Sequence, residues 1–507
     1  MESDTWTRLR PFLLAALLLL VLGFLLHQYA ARKLHAKEPP VIPSSIPYIG
    51  HVLGMIAYGG RYSKSIASKH RPIFTLPMPG SRMYIVTDPA LAATVQKTKS
   101  LSFNPIIPQV TERILGLDRD TVNILSDNIG REAGPHGFYP EVHDLVYSTM
   151  TPGEQLDELT ARAAGMFKKH LNDFAASLDC ASMHDLLAWA QHMVTIATAE
   201  FLYGPENPIA MNPSLDAAFW DFDHGLGQLL AFAGLQPQIT ARKAYLGREA
   251  VVGGLHQYLD KGHFHSASPM IQHRIKIAQK YGMSPDGMAR SELSFLFAGI
   301  VNTAITSFWC ILHIFAQPDL LKAVREELEK SLVDPAADSS QIKFDLSNIP
   351  NDWPLLQSIY REVLRLGSDN SSNRLVLSDT LLADTYFLAK GSIVQISGAA
   401  MHIDPQIWGE DVNTFDPYRF MPNRVKAAGV HPAAFRAFGG GTTICPGRHF
   451  ATREILYFVA LVVMMFDIGS AHGGKMKIPA KKDDVLPVHI LEPMEKVMAR
   501  IKLREKT

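Results

Sequence analysis

Apolar and polar positions along the chain fall into three patterns, and each predicts a different kind of element. Residues 11–26 are apolar without interruption and mostly leucine, the pattern of a membrane-spanning helix or a leader. Helical periodicity comes next. Leu156, Leu159, Ala163, Met166, Phe167 and Leu171 recur at three- and four-residue spacing, which predicts a helix over 154–178, and 184–203 reads likewise. Residues 291–316 are apolar almost all round and stop before Pro318, as expected of a helix running through the middle of a large core. Further helices are predicted over 318–331, 353–366 and 448–468. Short β-rich runs at 73–76 and 82–86, split by a Pro-Met-Pro-Gly turn, and at 374–377 and 392–397 predict strands. No repeat or linker divides the body. The fold class is α+β, mostly α, with one large domain over 51–507.

Charged flanks refine the reading of the N-terminus. Arg8 and Arg10 precede the apolar run, Arg32, Lys33 and Lys37 follow it, and Trp6 and Tyr29 stand where interfacial aromatics sit. A sixteen-residue helix reaches only about 24 Å. Snorkelling arginines and a thin endoplasmic reticulum bilayer absorb the shortfall. A cleaved signal peptide is the competing reading, but cleavage after Ala31 puts Tyr29 where a small side chain is needed. Residues 1–36 are therefore expected to be an uncleaved single-pass anchor in the endoplasmic reticulum membrane. Three basic residues after the run against two before it favour a cytoplasmic body, which leaves the Asn370-Ser371-Ser372 sequon unused. Residues 37–50 are Pro-rich and predict a stiff extended hinge rather than a packed element.

Composition narrows the chemistry. The 507 residues carry 49 basic and 49 acidic side chains, a balance with no electrostatic footprint for nucleic acid. Three cysteines, with no CxxC pair, make no disulfide framework or structural zinc site and suit a reducing compartment. Cys180 and Cys310 lie in apolar helical surroundings and read as small buried hydrophobes. Cys445 differs. It lies in Phe438-Gly-Gly-Gly-Thr-Thr-Ile-Cys445-Pro-Gly447-Arg448, just before a predicted helix. A thiolate that binds iron needs a loop unable to collapse on the metal. Glycines let such a loop turn and aim N–H groups at the sulfur, and a helix start adds positive potential that lowers the thiol pKa.

With that loop the sequence resembles the cytochrome P450 family over nearly its whole length. Glu362-Val-Leu-Arg365 is similar to the family's E-x-x-R helix motif, and its spacing puts acid and base on one helix face. Phe415-Asp-Pro-Tyr-Arg419-Phe420 follows at a family-like distance. The resemblance implies the P450 fold, with a long central helix over haem b and Cys445 as axial iron ligand. It further implies cofactor contacts at Phe438, Gly439, Gly447 and Arg374, where Arg374 meets a haem propionate, and a structural group of Glu362, Arg365 and Arg419.

Departures from the family pattern are equally informative. Thr443 stands where a base is usual two residues before the cysteine, and no W-x-x-x-R occurs near 130–160, where His143 lies without an assigned role. In the long helix, Ala298-Gly299-Ile300-Val301-Asn302-Thr303 places Val301 at the usual acid and Asn302 at the usual threonine. That form resembles the sterol 7α-hydroxylase and prostacyclin synthase branch, and makes Asn302 and Thr303 the candidate catalytic pair. The leading expectation is a monooxygenase that inserts one oxygen atom of O2 into a sterol, terpenoid or prenylated alkaloid. Electrons would come from an NADPH-dependent reductase docking on a basic face of Arg424, Lys426, Arg436, Arg448 and Arg453. A haem-thiolate isomerase or dehydratase of a peroxide-like substrate, and a non-enzymatic haem- or sterol-binding membrane protein, stand as alternatives.

Overall fold

Proline and small polar residues set the starts of the main helices in the computed structural model. The model describes residues 21–505 except 24, 27, 28, 30, 31, 68, 70, 71, 179–181, 232–235, 335–340, 347, 350 and 487. Most of the apolar run at 11–26, and Cys180, lie outside the described residues. The longest helix, Pro285–Phe315, begins ahead of the predicted start at 291. Its first turn is polar, so apolar periodicity misses it. Ser284 marks the start, with its hydroxyl accepting from the Gly287 N–H and Pro285 in the first turn. This helix is long and apolar enough to cross a membrane, but it is mostly buried in protein. Helices Leu186–Tyr203, Arg242–Asp260, Pro354–Gly367 and Arg448–Met465 pack directly against it.

Two sheets flank this helical mass. In the larger, the order is Ile73–Met78, Ser81–Val86, Ile393–Ser397, Ser371–Val376 and Leu101–Ser102. Ser81–Val86 and Ile393–Ser397 run parallel, and the other neighbours antiparallel. The smaller sheet joins Ser182–Asp185, Met498–Leu503 and Phe466–Ser470, all antiparallel. Residues 466–468, expected as the end of the last helix, are thus strand, and so are 184 and 185, expected as the start of a helix. In both places pairing with the C-terminal strand overrides the local helical pattern.

The Pro-rich segment also departs from expectation. Ile42 N–H donates to the Thr75 carbonyl and Thr75 N–H to the Pro40 carbonyl, at 2.9 and 2.8 Å. Glu38 is buried and accepts from the Tyr84 hydroxyl at 3.2 Å. The open edge of Ile73–Met78 offers unpaired backbone groups, so residues 38–42 pack as an extra extended piece rather than stand free. The largest core cluster runs from Leu115 to Ile501 and encloses the long helix.

Candidate active site

The cysteine loop is shaped by its three glycines. Gly439 and Gly441 have φ of 73° and 64°, conformations a side chain resists. A Cβ on Gly440 would lie 2.4 Å from Gln96 Nε2 and 2.7 Å from Arg436 Nη1. The loop closes where the Cys445 N–H donates to the Phe438 carbonyl at 2.9 Å, and the Tyr147 hydroxyl donates to the Ile444 carbonyl at 2.6 Å. Helix Arg448–Met465 begins immediately after. Burial pushes the Cys445 thiol pKa up, while the Gly447 and Arg448 N–H groups and the Arg448 charge pull it down. Cys310 is buried within the long helix, with its thiol pKa raised by burial alone, as expected of an inert core residue.

One cavity of about 460 Å³ brings together Cys445, Phe438, Gly439, Gly447, Arg374, Asn302 and Thr303. Its wall on the loop side carries the buried Arg374 guanidinium, and the buried Arg436 side chain lies behind it near Gly440. Arg374 Nη1 donates to the Asn373 carbonyl at 2.7 Å, and Nη2 to the Thr443 hydroxyl. Arg436 Nη2 donates to the Ser372 hydroxyl at 3.1 Å. Among the described residues neither meets a carboxylate. Burial lowers the Arg374 pKa, and burial together with the Arg374 charge brings Arg436 down to about 10. A buried guanidinium at the cavity wall with no carboxylate beside it suits an anionic group there. Haem, a dianion through its propionates, fits Arg374, and the thiol lines the same cavity. Arg436 was expected on the reductase-facing surface. It is 2% exposed, so it is not part of that face. The remaining basic residues keep varied exposure: Arg424 and Lys426 are exposed, Arg448 and Arg453 half-buried. His143 stacks on Tyr147 at 4.4 Å and does not line the cavity.

Beneath the cavity, Glu362, Arg365 and Arg419 meet in the core. Arg365 donates to both Glu362 oxygens, at 2.8 and 2.7 Å, and Arg419 Nε donates to Oε1 at 3.1 Å. Arg365 also holds the His402 carbonyl at 2.7 Å, and His402 accepts the Arg436 N–H at 2.8 Å. That chain of bonds links the helix motif to the start of the cysteine loop. None of the three charged residues lines the cavity, which agrees with a purely structural place.

On the long helix, Val301 is buried away from the cavity while Asn302 faces into it. Asn302 Oδ1 accepts the Ile490 N–H at 3.1 Å, which leaves its NH2 group to face the cavity as a donor. Thr303 donates to Glu454 Oε2 at 3.3 Å, and Thr198 to the other oxygen at 3.4 Å. Glu454 was not singled out in the sequence. It is buried with no cationic partner among the described residues, and burial pushes its pKa up to about 8. The signal was an acid nearly two turns into the helix, where its apolar run begins, nine residues after the cysteine. A second cavity of about 490 Å³ adjoins the first, sharing Phe103, Ser371, Asn373 and Val488. Ile106, Val110, Ile114, Phe222, Leu226 and Phe297 make its walls largely apolar.

Comparison with known proteins agrees with this geometry. The family model for Cytochrome P450 matches residues 255–494. The chain is 30% identical to Cytochrome P450 monooxygenase nodJ of Hypoxylon pulicicidum, over 89% of this chain and 88% of that protein. It is 26% identical to the 5-beta-cholestane-3-alpha,7-alpha-diol 12-alpha-hydroxylase of Sus scrofa, over 90% of this chain and 91% of that protein. Among solved structures, retinoic acid bound cyanobacterial CYP120A1 superposes with a TM-score of 0.69 at 20% identity, covering 92% of this chain and 99% of that one. The chain belongs to the cytochrome P450 family and has its fold. It is a haem-thiolate monooxygenase of lipophilic substrates.

Proposed function

We propose that the enzyme hydroxylates a sterol-sized or terpenoid-sized molecule, prenylated alkaloids included, with Cys445 as the axial thiolate. The observation that carries this reading is the apolar chamber of about 490 Å³ opening onto the cysteine cavity, a volume in the ordinary range for small-molecule sites. Bound haem supplies activation of O2, and a thiolate ligand favours O–O cleavage. The chain's own residues do the rest. Arg374 would hold a haem propionate at the cavity wall. Apolar walls exclude water and align the substrate by shape. The Asn302 NH2 faces the cavity as a hydrogen-bond donor, and because an amide releases no proton, the proton comes from elsewhere. Glu454 lines the cavity beside Thr303, and burial favours its protonated form.

Electrons come in this reading from an NADPH-dependent reductase on the cysteine side, at Arg424, Lys426, Arg448 and Arg453. Residues 1–36 anchor the chain in the endoplasmic reticulum membrane with residues 51–507 cytoplasmic. Exposed Ile46, Ile49, Leu53 and Ile56 close behind the anchor support a body lying against lipid. Incubation with reductase, NADPH, 18O2 and a panel of sterols and terpenoids tests the proposal. One labelled oxygen is expected in product, and Asn302→Ala is expected to raise the share of NADPH lost as peroxide. Unlabelled product formed without reductase overturns it.

A further inference from the structure

Away from the haem cavity, the last turn of helix Ser214–His224 meets the C-terminal loop at 489–492, and three ligand-type side chains converge there, with His489 beside one of them. One oxygen or nitrogen from each of Asp223, His224 and Glu492 lies within 4.8 Å of the others. His224 Nε2 is 3.1 Å from Glu492 Oε1, and His489 Nε2 is 3.5 Å from Asp223 Oδ1. The His224–Glu492 separation suits two donors sharing one cation at about 2.0–2.2 Å from each, while His489 pairs with Asp223.

Two features mark this as more than an acidic cluster. Asp223 is 1% exposed, and neither of its carboxylate oxygens accepts a hydrogen bond among the described residues, a costly state for a buried acid. His489 lies 2.7 Å from the Ile490 carbonyl through Nδ1, which must be the protonated nitrogen there. In the neutral ring Nε2 then points a bare lone pair at the Asp223 carboxylate. The ring therefore offers Asp223 no hydrogen bond in that form, and the buried carboxylate stays open toward His224 and Glu492. Gln191 also donates to Glu492 Oε1, at 3.2 Å, and Lys482 lines the same surface cavity.

We propose that Asp223, His224 and Glu492 bind one zinc-type divalent cation, with His489 steadying the Asp223 carboxylate. An imidazole beside two carboxylates favours zinc over magnesium or calcium, which prefer all-oxygen shells. The cation ties the helix end to a loop whose Ile490 N–H fixes Asn302 and whose Ile490 side lines the haem cavity. Occupancy therefore stiffens one wall of the active site without touching substrate.

The test uses the full-length, haem-loaded protein, stripped with EDTA and dialysed against micromolar zinc chloride. Elemental analysis should find one zinc per haem above the stripped baseline, and excess magnesium should not displace it. His224→Ala, at an exposed position, and Asp223→Asn should each lose that equivalent while haem content stays unchanged. Losing a ligand should weaken binding beyond the roughly 10–100-fold that loss of a supporting hydrogen bond costs. No zinc uptake, or one equivalent retained in both variants, overturns the site; the first result leaves a shared proton between His489 and Asp223 as the account of the cluster.

Discussion

Replacing Glu362 by alanine should abolish stable haem retention, and the geometry sets the scale. One carboxylate accepts four hydrogen bonds: two from Arg365, one from Arg419 and one from the Asp416 N–H at 3.2 Å. Its loss does not strand the two cations equally. Arg419 keeps Asp411 at 3.0 Å, near the surface, whereas the Arg365 side chain is 0% exposed and keeps a carbonyl and the face of Trp408 but no anion among the described residues. An uncompensated buried charge of this kind costs about 3–5 kcal/mol. Total stability is roughly 5–15 kcal/mol, so about a fifth or more of it goes. Because Arg365 holds His402 and His402 holds Arg436, the strain reaches the cysteine loop. Asp411→Ala is the control. That side chain is 58% exposed, and its pair with Arg419 is worth about 1 kcal/mol or less. Haem per polypeptide and the urea midpoint of both variants decide the matter. A haem-replete Glu362→Ala protein with the midpoint of Asp411→Ala would refute the reasoning.

Cys445→Ser should lose the strongly red-shifted Soret band of the reduced, CO-bound protein, and Cys180→Ser and Cys310→Ser should keep it; an unchanged Cys445→Ser spectrum contradicts the assignment. Glu454 has a folded pKa raised to about 8, above its unfolded value, so the folded state holds a proton that the unfolded state releases. Its contribution to stability is present in acid and lost as pH rises toward 8; Glu454→Gln should flatten that slope in urea melts from pH 5 to 8. The same variant should slow coupled product formation about 10²-fold if Glu454 delivers the proton, and unaltered coupling rules that role out. Deleting residues 1–36 should weaken membrane attachment in flotation assays and leave the haem spectrum intact, since a spectrum lost with the segment would make it part of the fold.

Legibility followed the range of the interactions involved. The glycine loop around Cys445, the Glu362–Arg365 spacing and the polar break at Asn302 are local, and each could be read directly. Strand pairing between 182–185 and 498–503 joins segments some three hundred residues apart, so neither strand announced itself. Arg436 was misread for a different reason. An arginine is usually exposed, and its burial here comes from contacts with His402 and Ser372, far away in sequence. Glu454 was passed over because a single acid in an apolar helix looks like a surface position until the partner helices are in place.

The bond between Asn302 and the C-terminal loop has a consequence for how this enzyme can diversify. The donor is the Ile490 backbone N–H, so the orientation of the amide does not depend on which side chain residue 490 carries. Val488 and Ile490 line the haem cavity, so their side chains are free to vary in size and shape with the molecule being oxidised. Selection can thus retune substrate preference along this loop while the cavity-facing NH2 keeps its aim. Proline alone at position 490 would delete the donor, which makes it the substitution lineages should avoid there.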